Sequence, residues 1–307
     1  MLDAAIIAAR FFQFASAAIL FGSSSFLLYL QPLFGARMWP LRLLFAAASV
    51  VLSSGIAWLC LEAIALSGDA QSAADAAFLW SVLSETQFGR IFLLRMAVGF
   101  ISIVAFALFP ASRPNALWRV QAILGAVIVA SFAWTGHGAS DEGAAGMLHA
   151  GADVVHLLAA GIWIGALAPL SILLTRPEGG ESEVRIVDYA LMRFSGIGAT
   201  VVAALVLSGL VNSWFLIGPS HIAGLLDNPY GVVLVAKLCL FAGMLGLAAA
   251  NRYRLAPRLK LALESRGDTT RAVRALKNSV SLETGLGFLV LLAVGALGTL
   301  PPPISGG

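Results

Sequence analysis

The chain alternates long apolar runs with short polar breaks, and each run is about the length of a bilayer crossing. A crossing helix needs roughly 20 mostly apolar residues. Eight runs qualify: 4–34, 41–67, 88–109, 117–136, 149–174, 189–217, 229–250 and 279–300. The first is long, and the hydropathy pattern marks Ser23, Ser24 and Ser25 as an interruption within it. Two of the polar breaks have some length. Residues 68–87 hold an amphipathic stretch, 74–83, expected to lie flat on the outer membrane surface. Residues 251–278 form a basic segment, expected to be partly helical, whose charges suit the membrane's anionic lipids. The pattern predicts an all-α, polytopic membrane protein with eight transmembrane helices. It predicts one integral-membrane domain over 1–307, with the first four helices in 1–136 and helices five to eight in 137–307.

Composition agrees: 59% of residues are hydrophobic and 11% charged, against about 25% charged in a soluble domain. The net charge is only +3, but its distribution orients the chain. Arg37 and Arg42 fall in the first break, Arg113 and Arg119 in the third, and Arg176 and Arg185 in the fifth. The seventh break carries Arg252, Arg254, Arg258, Lys260, Arg266, Arg271, Arg274 and Lys277. The even breaks carry Asp69, Asp75, Glu85, Asp141, Glu142 and Asp227, with no basic residue except Arg90 at a helix start. Because basic loops stay cytoplasmic, the odd breaks are expected inside and both termini in the periplasm. No Lys or Arg precedes the first run, and Arg10 lies within it, so a retained helix is expected rather than a cleaved signal peptide. Cys60 and Cys239 both sit in apolar runs and suggest neither a disulfide framework nor a zinc site. No basic patch marks a nucleic-acid partner, and no G-x-x-x-x-G-K-[ST] marks ATP use. Nothing points to an enzyme.

Charged side chains inside spans are costly and are functional candidates by default. At 1.5 Å per residue, Glu62 in the second span and Asn212 in the sixth lie about 8 Å below the outer surface. Arg95, His156 and Lys237 lie about 10 Å below it, in the third, fifth and seventh spans, and Arg10 and Gln13 are at comparable depth in the first. These side chains share one layer. Two compatible readings stand: Glu62, Asp153, Arg95 and Lys237 neutralise one another, or the layer surrounds a polar cavity open to the outside.

Metal-binding chemistry concentrates at the entrance to the fifth span. Three of the four histidines, His137, His149 and His156, lie there with Asp141, Glu142, Asp153 and Met147. On a helix starting near His149, positions 149, 153 and 156 share one face. Imidazole and carboxylate suit several metals, and a thioether shifts the preference towards Cu(I). Met96, Met192, Met244 and Cys239 are read as helix packing, with Cys239 on a different face from Lys237.

Three separated motifs then resemble one family. They are W-T-G-H-G…M-L-H-A-G-A-D-V-V-H-L-L-A-A-G-I-W-I-G-A-L from Trp134, S-G-L-V-N-S-W from Ser208, and Y-G-V-V-L-V-A-K-L-C-L-F…A-N-R-Y-R-L from Tyr230. Together they resemble the CopD/PcoD family of bacterial inner-membrane copper resistance and copper transport proteins, with 137–307 as the copper-resistance-D-like core and the likeness strongest over 134–255. The resemblance implies an eight-helix protein that binds copper, as Cu(I) or Cu(II), on the periplasmic side and passes it to the cytoplasm. It also implies delivery by a small periplasmic copper-binding protein of the CopC type, with membrane lipids as the remaining partner. The positions matching the family's polar motif residues are His137, His149, Asp153, His156, Asn212 and Lys237. The expected metal site is therefore His137, His149 and His156, with Asp153 orienting or ligating and Met147 as a soft ligand. Glu62, Arg95, Asn212 and Lys237 would shape the cavity. Two alternatives remain open: a haem-binding electron-transfer protein, since membrane histidines can hold haem, and a copper-delivery accessory factor that does not transport. The inner half of the spans offers few polar residues beyond the serines of the first span, so the sequence traces no path to the cytoplasm.

Overall fold

The computed structural model describes residues 1–30, 38–109, 114–135, 143–175, 180–265 and 267–303. Ten α-helices span the described residues: α1 Leu2–Tyr29, α2 Trp39–Ser67, α3 Ala76–Glu85, α4 Gln87–Leu108, α5 Pro114–Ser131, α6 Gly143–Thr175, α7 Glu181–Leu216, α8 Pro229–Ala250, α9 Ala256–Glu264 and α10 Thr269–Leu297. Eight of them are long and apolar enough to cross a membrane. The remaining two are α3, in the 68–87 break, and α9, in the basic segment.

Side-chain oxygens set several helix starts, as expected where backbone N–H groups would otherwise be orphaned. Asp75 caps α3, and Thr86 caps α4 by accepting from the Gly89 N–H at 2.8 Å. Asn228 caps α8 through the Gly231 N–H at 2.7 Å, and Asp268 caps α10 through Arg271. Gly68 ends α2 at φ 73°, a left-handed conformation that glycine adopts without strain.

The expected break at Ser23–Ser25 is absent, and α1 runs through it. The hydroxyls of Ser24 and Ser25 donate to the carbonyls of Leu20 and Phe21, four residues back, at 2.6 and 2.9 Å. A serine that satisfies itself this way costs a membrane helix little. Ser23 instead donates to the Gly165 carbonyl of α6 at 2.8 Å.

That bond lies in the tightest seam of the molecule. A Cβ on Gly165 would stand 2.7 Å from the Cα of Gly22 and collide with the Ala18 carbonyl. Small residues let membrane helices approach to backbone contact, where dispersion replaces the hydrophobic drive that lipid removes. Helix α1 occupies the centre, packing against α2, α5, α6 and α10. Helix α6 is the second hub, touching α1, α5, α7 and α10. Helices α7 and α8 are peripheral: α8 packs chiefly on α10, and its buried residues are Tyr230, Gly231 and Met244.

Helix α10 begins ten residues before the run that hydropathy marked, so Glu283 lies in mid-helix. Between α8 and α9 the chain makes a π-helical turn, Asn251–Leu255, which continues the helix into the basic segment.

Candidate metal centre

The first half of α6 presents His149, Asp153 and His156 on one face, and α7 runs antiparallel beside it. Each of the three has its own partner there. The His149 ring, 2% exposed, stacks on Phe215 with centroids 4.7 Å apart and an interplanar angle of 6°. Asp153 Oδ1 accepts from Asn212 Nδ2 at 3.0 Å. His156 Nδ1 lies 3.1 Å from Ser208 Oγ. The partners Ser208, Asn212 and Phe215 repeat the four-then-three spacing of the α6 face, so two helical stripes mesh rung by rung.

The serine decides what His156 can do. Ser208 spends its single proton on the Ala204 carbonyl, at 2.5 Å. Its lone pair is then open to the Nδ1–H of His156, which the Leu205 carbonyl also attracts, and that tautomer leaves Nε2 with the lone pair a metal takes. The ring packs against this turn of α7, where a Cβ on Gly209 would lie at ordinary contact distance, 3.5 Å, from His156 Cε1. Asn212 Oδ1 is buried beside Asp153 with no hydrogen-bond partner among the described residues.

Helix α8 contributes charge. Lys237 is half-buried and within electrostatic reach of both Asp153 and His156. Tyr230, 4% exposed, also feels the Asp153 carboxylate. The centre thus holds two imidazoles, one carboxylate and one ammonium in the seams of three helices.

The remaining candidates lie elsewhere. Met147 is two residues from His149, about 200° around the helix, and is 74% exposed while His149 is buried. His137, Asp141 and Glu142 lie outside the described residues. Among the described residues, no three His, Cys, Asp or Glu side chains converge as a metal cage.

The polar layer expected from depth divides into two clusters. Asn212 and Lys237 join Asp153. Glu62 and Arg95 join Arg10 and Gln13 on the far side of α1, among α1, α2, α4 and α5. There Trp58 Nε1 donates to Glu62 at 3.2 Å, and the Trp58 ring carries the Arg10 guanidinium on its face at 4.9 Å. Arg95, 1% exposed, lies 4.2 Å over the Phe132 ring and donates through Nε to Ser131 Oγ at 3.0 Å. Gln13 Oε1 accepts from Ser54 Oγ at 2.6 Å. The Glu62 carboxylate faces Arg10, and aromatic faces supply the rest of the cation contacts, each worth about 2 kcal/mol when desolvated.

Sequence reasoning missed three members. Phe215 follows the S-G-L-V-N-S-W motif directly, and its place seven residues after Ser208 was the signal. Tyr230 lies seven residues before Lys237, on the same face. Glu283 is 2% exposed, and its carboxylate accepts from Trp163 Nε1 at 2.7 Å and Asn251 Nδ2 at 2.9 Å.

Comparison with known proteins adds two family models and several relatives. Residues 1–147 match the model "Copper resistance protein D-like, N-terminal domain", and residues 188–297 match "Copper resistance protein D". The chain is 38% identical to copper resistance protein D of Pseudomonas syringae pv. tomato over all of both chains. It is 30% identical to inner membrane protein YebZ of Escherichia coli K12, over 96% of this chain and 98% of that one. A third relative, copper transport protein CutJ of Bacillus subtilis 168, is 29% identical over 76% of this chain and 40% of its own.

Proposed function

The chain belongs to the copper resistance protein D family, and on that premise we propose that it takes copper from the periplasm and passes it to the cytoplasm. It is a copper-related, multi-pass protein of the inner membrane. The observation that carries the transport reading is the ladder of His149, Asp153 and His156 on α6, backed by Phe215, Asn212 and Ser208 on α7.

The ladder's spacing suits passage better than storage. His149 and His156 are seven residues apart, about 10.5 Å along the axis, so they serve as successive rungs rather than jaws of one cage. Asp153 lies between them, four residues after the first and three before the second. An ion held by His149 and Asp153 can move to Asp153 and His156 by exchanging one imidazole for the other. His156 is ready because Ser208 fixes the tautomer that bares Nε2. Lys237 balances Asp153, and an arriving cation competes with that ammonium. His137, which the sequence places just before α6, is a further entry ligand. The basic ends of the helices face the cytoplasm by the positive-inside rule, which puts the histidine end in the periplasm. Copper reaches it free or from a periplasmic carrier of the CopC type.

The same spacing disfavours haem between these two residues. A bis-histidine haem needs its ligands on opposite faces of one ring, whereas His149 and His156 leave the same side of the same helix. The discriminating experiment is copper uptake by proteoliposomes, beside equilibrium copper binding and an absorption spectrum of the purified protein. Copper loading of the lumen that falls at least tenfold in His149→Ala and His156→Ala is expected. Binding without loading would make the protein an accessory factor, and a Soret band would restore the haem reading.

A further inference from the structure

We infer that the cleft between α1 and α7, at the basic-loop end of the bundle, binds one anionic glycerophospholipid, with the phosphate on Arg193 and one acyl chain laid along the cleft. Nothing in this site depends on copper.

The cleft follows from how three helices pack. Helices α1 and α7 both lie against α6 but scarcely touch each other. The glycine seam draws α1 down onto α6, and a trough stays open beside it, walled by α7. Gly22 and Phe26 of α1, Ile162 and Ala166 of α6, and Phe194 and Ile197 of α7 line it. Phe26 and Phe194 meet edge to face, with centroids 6.1 Å apart. Ser25 also borders the cleft, but its hydroxyl donates to the Phe21 carbonyl of its own helix at 2.9 Å, so it offers no free donor there. The body of the cleft is therefore hydrocarbon. It encloses about 90 Å³, against about 300–1,000 Å³ for a pocket that takes a whole small molecule. A narrow apolar trough of that size fits one flexible chain rather than a compact ligand.

One end is polar. Arg193 and Tyr29 close it. The guanidinium carbon lies 5.2 Å from the Tyr189 ring and 5.9 Å from the Tyr29 ring, and Nε donates to the Tyr189 hydroxyl at 2.9 Å. These contacts fix the side chain but use only one of its five N–H donors. Arg193 is exposed and makes no ion pair among the described residues. A planar fork of spare donors on a fixed cation is what a phosphate takes. Tyr29 ends α1 and Tyr189 opens the sixth apolar run, so the pair marks headgroup level, where tyrosines gather, and the positive-inside rule makes it the cytoplasmic leaflet. From Tyr29 to Gly22 the cleft descends seven residues, about 10.5 Å, which is most of the roughly 15 Å that one leaflet contributes to the hydrocarbon core. Cation and cleft thus match the phosphate level and the chain depth of one lipid. An arginine without an acid favours a headgroup of net negative charge, because a zwitterionic one brings its own cation towards the guanidinium.

The test is lipid retention by the purified full chain in detergent, read by native mass spectrometry, with phosphatidylglycerol and phosphatidylcholine of identical acyl chains as probes. Wild type is expected to keep one phosphatidylglycerol per chain, at least fivefold in preference to phosphatidylcholine. Arg193→Gln, at an exposed position, should lower that retention about fivefold, the scale of one basic side chain at an anionic surface, and Arg193→Lys should restore most of it. Ile197→Trp fills the cleft from a half-buried position and should lower retention at least tenfold with Arg193 still in place. Arg185→Gln removes a basic residue of the same helix outside the cleft and should change nothing. Equal retention of the two lipids by wild type, or unchanged retention in either Arg193→Gln or Ile197→Trp, would overturn the site. So would a lipid-free mass of two chains, which would mean that a second copy covers the cleft.

Discussion

Ser208→Ala tests the tautomer argument most directly, because the substitution removes one oxygen and touches no proposed ligand. In the native centre that oxygen donates to Ala204 and accepts from His156 Nδ1–H at 3.1 Å. Without it the Nδ1–H keeps only the Leu205 carbonyl within reach, so the loss is at most the about 1–3 kcal/mol of a buried group left without an acceptor. The ring is only half-buried, which places the cost near the lower bound. The imidazole regains part of it by moving its proton to Nε2, which is the nitrogen the metal needs. Loss of an orienting partner typically weakens a metal site 10–100-fold. We therefore expect copper affinity to fall about tenfold, equivalent to about 1.4 kcal/mol. The assay is competition for copper against a chromophoric chelator in detergent, at fixed pH. Ser208→Thr keeps a hydroxyl that can bond the carbonyl four residues back and should bind within a factor of about three of wild type. Thermal unfolding should barely change in Ser208→Ala, since alanine is the better helix former. If Ser208→Ala binds copper as wild type does while His156→Ala does not, Ser208 does not set the tautomer and the argument from it fails.

Three further outcomes follow from other parts of the structure. Gly165→Ala should lower the apparent Tm in detergent by several degrees, corresponding to about 2–3 kcal/mol of overpacking against α1; Gly246→Ala, with open space around it, should be nearly neutral. Arg95→Leu should destabilise the fold by about 2 kcal/mol, through lost contact with Phe132 and Ser131, yet leave copper affinity unchanged; a parallel loss of copper binding would mean that the two polar clusters act as one. In a chain with Cys60 and Cys239 replaced by serine, a cysteine at Gln71 should react with an impermeant maleimide in right-side-out vesicles, and one at Gly267 only in inverted vesicles; the reverse result would invert the topology.

The sequence made depth legible but not direction around the helix axis. Hydropathy and basic loops located all eight crossings, and counting residues from their ends placed Arg10, Glu62, Arg95, Asn212 and Lys237 at one level. Which of them touch depends on how helices are arranged in the membrane plane, and that comes from contacts such as the Gly22–Gly165 seam. The layer therefore resolved into two clusters on opposite sides of α1. The face bearing His149, Asp153 and His156 was readable because it belongs to one helix. Its α7 partners were only half readable: the motif contained Ser208 and Asn212 but gave no pairing. Glu283 escaped because nothing near it in the chain marks it out: its partners Trp163 and Asn251 belong to other helices. The seven-residue recurrence of Tyr230, Lys237, Met244 and Asn251 was the one available clue to that region.

The seam between α1 and α6 has a mechanical consequence. Two helices whose backbones touch through Gly22 and Gly165, pinned by Ser23 to the Gly165 carbonyl, cannot slide past each other without steric collision. They form a chassis, a fixed reference for the rest of the bundle. Helices α7 and α8 hang from it, α7 on α6 and α8 on α10, and expose much of their length. Both border the ladder, with α7 holding Ser208, Asn212 and Phe215 and α8 holding Lys237. A frame so rigid holds His149 and His156 at fixed heights along α6, so the distance between them is built in rather than adjustable.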